Sequence, residues 1–281
     1  MIQPELVRAY RSDPVIQTYG VNDTMLYAVG VGAGSKPEDR PFVYEKALQA
    51  LPTMAVVLGR EAPWLHEAKY GLTLSKMLAA EQSIKIHRPL PPSGTITGVT
   101  SVERLHDKGE GRGAIMTIRR ALTDAADGAP IADVRITVFL RADGGFHGPS
   151  DPATVPHRLP DRAPDRIEAY RTTPDQAILY RLSGDYNPIH IDEEVAKAAG
   201  MPGPILHGLC TYGIACRAIV RGACDNDAGR IRRFDARFTS PVFPGDLILT
   251  EMWIDGDTVS FRSRVPERNV VVLNNGLATL G

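Results

Sequence analysis

Asp185 and His190 stand five residues apart in Gly184-Asp185-Tyr186-Asn187-Pro188-Ile189-His190-Ile191-Asp192. A carboxylate and an imidazole brought within a few ångströms of each other can hold one water and move its protons. Histidine suits the task because it is close to neutral at working pH, and the carboxylate can take a second hydrogen bond. Residues at this spacing do not share a helix face, so a turn must bring them together, and Asn187-Pro188 supplies one. The same side chains can instead satisfy backbone groups of a loop, and spacing alone leaves both readings open. Fifteen residues on, Pro204-Ile205-Leu206-His207-Gly208 opens an apolar run. The first amides of a helix lack internal partners and carry the positive end of its dipole. Gly208 lets a ligand approach that backbone, where an N–H can polarise a carbonyl and stabilise an enolate oxygen. A flexible helix start fits the same residues. His207 fits an orienting group or a structural histidine. His190, Asp192 and His207 lack a regular ligand spacing, so no metal is expected.

The elements that must position these groups are short. Thr173 is a candidate N-cap, Pro174 the first helical residue and Gln176 the reciprocal capping partner. That helix runs to Leu182 and ends at Ser183-Gly184. Asp192, with Glu193 and Glu194, starts another that stops at Gly200. The loop between is pinned at both ends. The run ILHGLCTYGIACRAIV, residues 205–220, is apolar on almost every side, which predicts a helix buried all round. Gly213 and Ala215 let a surrounding sheet come close. A curved antiparallel sheet wrapped round one buried helix is the hot-dog arrangement. Cys210, Cys216 and Cys224 fit it as small core residues. An odd, clustered set makes no disulfide framework and implies a reducing compartment.

Prolines at 149, 152, 156, 160 and 164 forbid helix and interior strand, and mark an extended crossing segment, 149–165, between halves 1–148 and 166–281. The halves look duplicated. Arg88-Pro89-Leu90-Pro91-Pro92-Ser93-Gly94 and Ser240-Pro241-Val242-Phe243-Pro244-Gly245 each lead into three strand-like segments: 94–105, 113–122 and 132–142, then 246–254, 257–265 and 269–280. Asp107-Lys108-Gly109, Ala126-Asp127-Gly128 and Asp255-Gly256-Asp257 separate strands of an antiparallel meander. A helical segment precedes each meander; in the first half it is 41–58, interrupted at Pro52.

Composition excludes several classes. The 281 residues carry 32 Lys+Arg against 33 Asp+Glu, a net charge of −1, which argues against nucleic-acid or anionic-membrane binding. No apolar run reaches the length of a membrane span. The N-terminus lacks a signal-peptide core, and Ala278-Thr279-Leu280-Gly281 is not a peroxisomal Ser-Lys-Leu tail, so a cytoplasmic location is expected. Gly30-Val31-Gly32-Ala33-Gly34 does not give a dinucleotide fingerprint in register, and Pro37 follows where a helix should open.

SGDYNPIHID followed by GPILHGLCTYGIA resembles the signature of R-specific, MaoC-like enoyl-CoA hydratases and dehydratases. The resemblance covers nearly the whole chain. AEQSIKIHRPLPPSG, the Asp107-Lys108-Gly109 turn and Gly144-Gly145-Phe146 are similar to the non-catalytic domain of the two-domain eukaryotic type, the hydratase part of the peroxisomal multifunctional enzyme. ARFTSPVFPGDLILTEMW is similar to the end of its catalytic domain.

The resemblance implies an α+β double hot-dog fold and reversible hydration of trans-2-enoyl-CoA to (R)-3-hydroxyacyl-CoA, with no cofactor beyond the coenzyme A of the substrate. It assigns Asp185 and His190 to a water-holding dyad, Asn187 to ordering the site and Gly208 to the oxyanion amide. Tyr186, Pro188, Ile189, His207, Phe238 and Lys108 become substrate contacts. The arginines at 217, 221, 230, 232, 233 and 237 could meet the phosphates of coenzyme A, Arg233 foremost, or form a solvated surface. Ala79-Ala80 departs from the His-Gly common in the family before Glu81-Gln82, so the acyl-binding surface there differs. A hot-dog acyl-CoA thioesterase, a non-catalytic acyl-CoA binder and a hydratase for a steroid side chain are the alternatives. A homodimer is expected.

Overall fold

The computed structural model describes residues 1–61, 64–147, 150–152 and 154–281. The expected boundary at 148/149 lies outside them. In the first half, α1 (Pro4–Arg8), β1 (Val15–Tyr19), α2 (Val21–Gly30) and α3 (Arg40–Val43) precede β2 (Met77–Ile86), β3 (Gly94–Asp107), β4 (Ala114–Asp124) and β5 (Pro130–Leu140). In the second, β6 (Arg166–Arg171), α4 (Gln176–Arg181), α5 (Glu193–Ala198) and α6 (Gly208–Ala223) precede β7 (Ile231–Phe238), β8 (Leu247–Asp255), β9 (Thr258–Val265) and β10 (Val270–Leu280).

All ten strands form one sheet in the order β1-β3-β4-β5-β2-β7-β10-β9-β8-β6. Read from the middle outwards, each half runs through the same sequence of strands. This mirrored order is what a duplicated unit joined edge to edge produces. The seam is antiparallel, with Glu81 opposite Arg237 and Lys85 opposite Arg233. Strand side chains alternate between faces. On β7, Phe234 and Ala236 enter the core, while Arg233, Asp235 and Arg237 point to the outer face. There Asp235 accepts from Ser83 Oγ and Glu81 pairs with Arg237, so charges tie the seam across the join.

α6 fills the second half as expected. Cys210, Tyr212, Ile214, Cys216, Ile219 and Val220 are all buried, and a Cβ at Gly213 would overlap Val31. The three cysteines are free and buried. Burial pushes the Cys224 thiol up to about 11, and those of Cys210 and Cys216 further.

The first half departs from expectation. Helix covers only Arg40–Val43 of the predicted 41–58. Leu51, preceding a proline, is extended, and Pro52 opens a six-residue 3-10 turn, Pro52–Val57, buried throughout. A short turn therefore stands where the second half has a sixteen-residue helix.

Two sequence features find structural reasons. Gly32 has φ +85°, and a side chain there would overlap the Tyr170 ring, so the glycine-rich stretch serves close packing between the halves. Arg217 and Arg221 are not free for ligand phosphates. Buried Asp39 accepts from Arg217 at 3.1 Å and from Arg221 at 2.8 Å, and Arg221 also meets Glu168 at 3.3 Å. A buried guanidinium needs such a partner, which is why these two arginines face inward.

Candidate active site

α4 starts two residues later than the capping pattern predicts. Asp175 is its N-cap without a side-chain bond, and Thr173 Oγ1 donates to Asp175 instead. Gln176 turns inward, its amide donating 2.6 Å to Gly30 O of α2 and its Oε1 accepting from Tyr170. α5 follows expectation: Asp192 Oδ1 accepts from Glu194 and Val195 amides, and Gly200 ends the turn at φ +80°. Between α4 and α5 the chain makes a 3-10 turn, Pro188–His190, whose N-cap is Asn187; its side chain accepts from the Ile189 amide at 3.2 Å. Asp185 Oδ1 accepts from the Asn187 amide at 3.4 Å. Asn187 thus shapes the loop, and Pro188 and Ile189 form its turn.

That turn carries His190 inward. Its Nδ1 lies 2.8 Å from Ile205 O. A carbonyl only accepts, so Nδ1 bears the proton and Nε2 keeps its lone pair. His207 stacks on it, ring centroids 3.6 Å apart and planes at 28°. His207 Nε2 lies 3.1 Å from the backbone oxygen of Asp185 and so donates to it, while its Nδ1 is buried without a partner. Ligand atoms of Asp185, His190 and His207 all lie within 4.8 Å of one another. Burial lowers the His190 imidazole below its usual value, against opposing contributions from the Ile205 carbonyl and Asp185. Burial first, and then His190, brings His207 down to about 4. Both rings are neutral near pH 7. A carboxylate with two imidazoles could also hold a metal, but rings stacked nearly parallel point their lone pairs alongside rather than towards one centre, so the set suits proton chemistry better.

His207 is also the N-cap of α6. Gly208, exposed at the first helical position, presents an N–H with no intrahelical acceptor. Phe238 packs beside it: a Cβ on Gly208 would stand 3.2 Å from Phe238 Cε1. Gly208 and Phe238 thus lie together, and His207 joins Gly208 to the loop of Asp185 and His190. Tyr186 is exposed beside them, with the Arg181 guanidinium 5.1 Å from its ring centroid.

Two further residues expected to meet the substrate have intramolecular partners. Arg233 sits on the outer face, paired with Asp235, because alternation along β7 puts it opposite Phe238. It lines a cavity of about 630 Å³ with Arg135, His157 and Asn275, on the far side of the sheet from α6. Lys108 is at the β3–β4 turn, its ammonium 4.7 Å from the Phe139 ring centroid. A smaller cavity of about 200 Å³ lies between the halves, lined by Tyr19, Leu26, Val57, Leu58, Leu182 and Gly184, the last just before Asp185 in the chain. Arg60 was not anticipated. It reaches from the first half to within 3.5 Å of Gly184 O, and no local motif marks it.

Comparison with known proteins decides the family. A MaoC like domain matches residues 156–275 and an MFE-2 hydratase 2 N-terminal domain matches residues 17–142. The peroxisomal enoyl-CoA hydratase 2 of Arabidopsis thaliana is 37% identical, over 96% of this chain and 93% of its own length. The chain belongs to the MaoC-like enoyl-CoA hydratase 2 family. Another relative, 3-hydroxyacyl-thioester dehydratase Y of Mycobacterium tuberculosis, is 41% identical over 90% of this chain and 87% of its own. A solved MaoC-like dehydratase from Phytophthora capsici superposes with a TM-score of 0.89 at 34% identity, covering 100% of this chain and 99% of that one. This MaoC-like chain is a double hot-dog, as its resemblance implied. The expected cytoplasmic location does not stand: the Arabidopsis relative, matched over nearly its whole length, is named as peroxisomal.

Proposed function

We propose that this protein is a hydro-lyase that adds water to trans-2-enoyl-CoA thioesters to give (R)-3-hydroxyacyl-CoA. The observation carrying the reading is the arrangement round His190: Nδ1 is committed to Ile205 O, ligand atoms of Asp185, His190 and His207 lie within 4.8 Å of one another, and His207 leads directly into Gly208 at the start of α6. His190 Nε2 and the Asp185 carboxylate hold one water. Its oxygen bonds to C3 as the dyad takes one of its protons. The C2–C3 π electrons move towards the thioester, and the charge gathering on its oxygen is held by Gly208 N–H. The dyad returns a proton to C2 and the carbonyl re-forms. The elements of water add across the double bond without change of redox state, so the reaction calls on no cofactor.

The same reading takes residues 166–281 as the catalytic part and 1–148 as its non-catalytic partner, supported by the mirrored strand order and by the dyad lying wholly in the second half. The end strands β1 and β6 each pair with one neighbour among the described residues, and a homodimer covering such an edge completes the proposal. A bulky acyl group, a steroid side chain included, is favoured by one observation: the first half holds a short buried turn instead of a long helix, beside the cavity at Gly184.

The test is direct. Crotonyl-CoA and a longer or bulkier enoyl-CoA are mixed with the protein. Loss of the conjugated-enoyl absorbance without free thiol, with an R product by chiral analysis, supports hydration. Release of free thiol indicates a thioesterase, and saturable binding without either signal rejects both enzymes.

A further inference from the structure

We infer that His207 is the positioning residue that keeps the Asp185–His190 pair in register with the Gly208 amide, through an Nε2–H bond to the Asp185 carbonyl and a ring stacked on His190. The inference rests on the proposed hydratase reading. Three separate pieces of chain must agree for that reaction: the loop carrying Asp185, the turn carrying His190 and the start of α6. The His207 side chain touches the first two, and its own backbone continues into the third. Its Nε2 holds Asp185 O at 3.1 Å across 22 residues of sequence. Its ring lies 3.6 Å from that of His190. Its own carbonyl accepts from Thr211 N at 3.1 Å, fixing it to the first turn of α6.

The environment selects one tautomer. His207 is 1% exposed, and its Nδ1 has no hydrogen-bond partner. On its other side the ring meets that of Tyr180, centroids 4.9 Å apart. A proton on Nδ1 would leave a buried donor unpaired, so the ring is held as the neutral Nε2–H form. The titratable and charged groups facing it are Asp185, His190 and Arg181. A neutral ring can stack closely on His190 both before and after His190 accepts a proton, whereas a cationic one would repel the imidazolium.

Two substitutions separate the two contacts. In His207→Gln, the amide nitrogen stands near the position of Nε2 and can still donate to Asp185 O. In His207→Phe, the stacked ring stays and the donor is lost. The expected result for hydration of crotonyl-CoA is a kcat within fivefold of wild type for H207Q. For H207F it is a kcat lower by thirtyfold or more, with KM within threefold. Equal losses in both, or a folded H207F within threefold of wild type, would overturn the assignment. If H207F does not fold, H207Q decides alone: a loss as large as that of H190A rejects the donor role. Nitrogen-15 spectra of the labelled wild-type protein provide a readout independent of turnover. They should show His207 neutral with the proton on Nε2 and His190 with its proton on Nδ1 at pH 7. A cationic His207, or its Nδ1–H form, overturns the inference whatever substrate the protein takes. Inactivity of wild type on enoyl-CoA with the expected tautomers rejects the hydratase reading instead.

Discussion

Arg217, in the middle of the second half's central helix, is neutralised by Asp39 of the first half, 3.1 Å away and 178 residues earlier in the chain. Both side chains are almost wholly buried, and Asp39 also accepts from the Gly34 and Lys36 amides. The halves are thus joined by this buried ion pair beside α6 as well as by the strand seam.

Removing the carboxylate leaves two guanidinium groups without their shared acceptor. Asp39→Ala should cost about 3–5 kcal/mol. That corresponds to a fall in melting temperature of about 10 °C for a chain of this size. A change under 2 °C by calorimetry would mean water or Glu168 replaces Asp39.

The same pair gives a pH dependence. Burial opposes ionisation of Asp39, but Arg217, the Gly34 amide and Arg221 outweigh it and hold the carboxyl below its usual range. A folded value below the unfolded one, about 3.9, stabilises the fold fully above that pH. The contribution is lost as pH falls through the folded value. Wild type should thus lose stability steeply below about pH 4, and Asp39→Asn should show a shallower slope there in melting curves. Parallel slopes would reject the assignment.

Asp185→Asn and His190→Ala should each lower turnover on an enoyl-CoA by more than tenfold; Asp185→Asn should leave the melting curve nearly unchanged, whereas His190→Ala also loses the stack on His207 and the bond to Ile205 O. Full activity in either variant removes that residue from the mechanism.

Because burial lowers His190 below its ordinary value of about 6.5, the acid limb of kcat/KM should fall below that pH. A limb at or above 6.5 would place His190 in a more open setting than the structure gives it.

Gly208→Ala separates stability from activity. Alanine is favoured over glycine in a helix by about 1 kcal/mol. The added methyl meets Phe238 at 3.2 Å, a contact the ring can relieve by a small shift. Melting should hold or rise while kcat falls about tenfold as the methyl crowds the oxyanion amide. Unchanged kcat would mean the thioester oxygen binds elsewhere.

Much of this arrangement could be read from local pattern. Alternation located six of the ten strands, the apolar run marked α6, and the Asn187-Pro188 turn marked the loop that brings Asp185 and His190 together. What stayed hidden depends on distant partners. Nothing near Arg217 reveals that Asp39 covers it, and nothing near Arg60 points to Gly184. The segment at 41–58 is apolar enough for a helix, yet Pro52 and its extended predecessor reset the chain into a tight turn. Arg233 was misplaced for a reason the sequence does contain: counting by twos back from Phe238 puts Phe234 and Ala236 inward and Arg233 outward.

The mirrored sheet has one further consequence. Two separate hot-dog chains meeting at such a seam would come apart on dilution, as any reversible complex does. Here the crossing segment tethers them, so the seam forms within one molecule at an effective concentration on the order of millimolar. The pocket between the halves therefore persists at any expression level, and the two halves are free to diverge in shape without risk of pairing with the wrong copy.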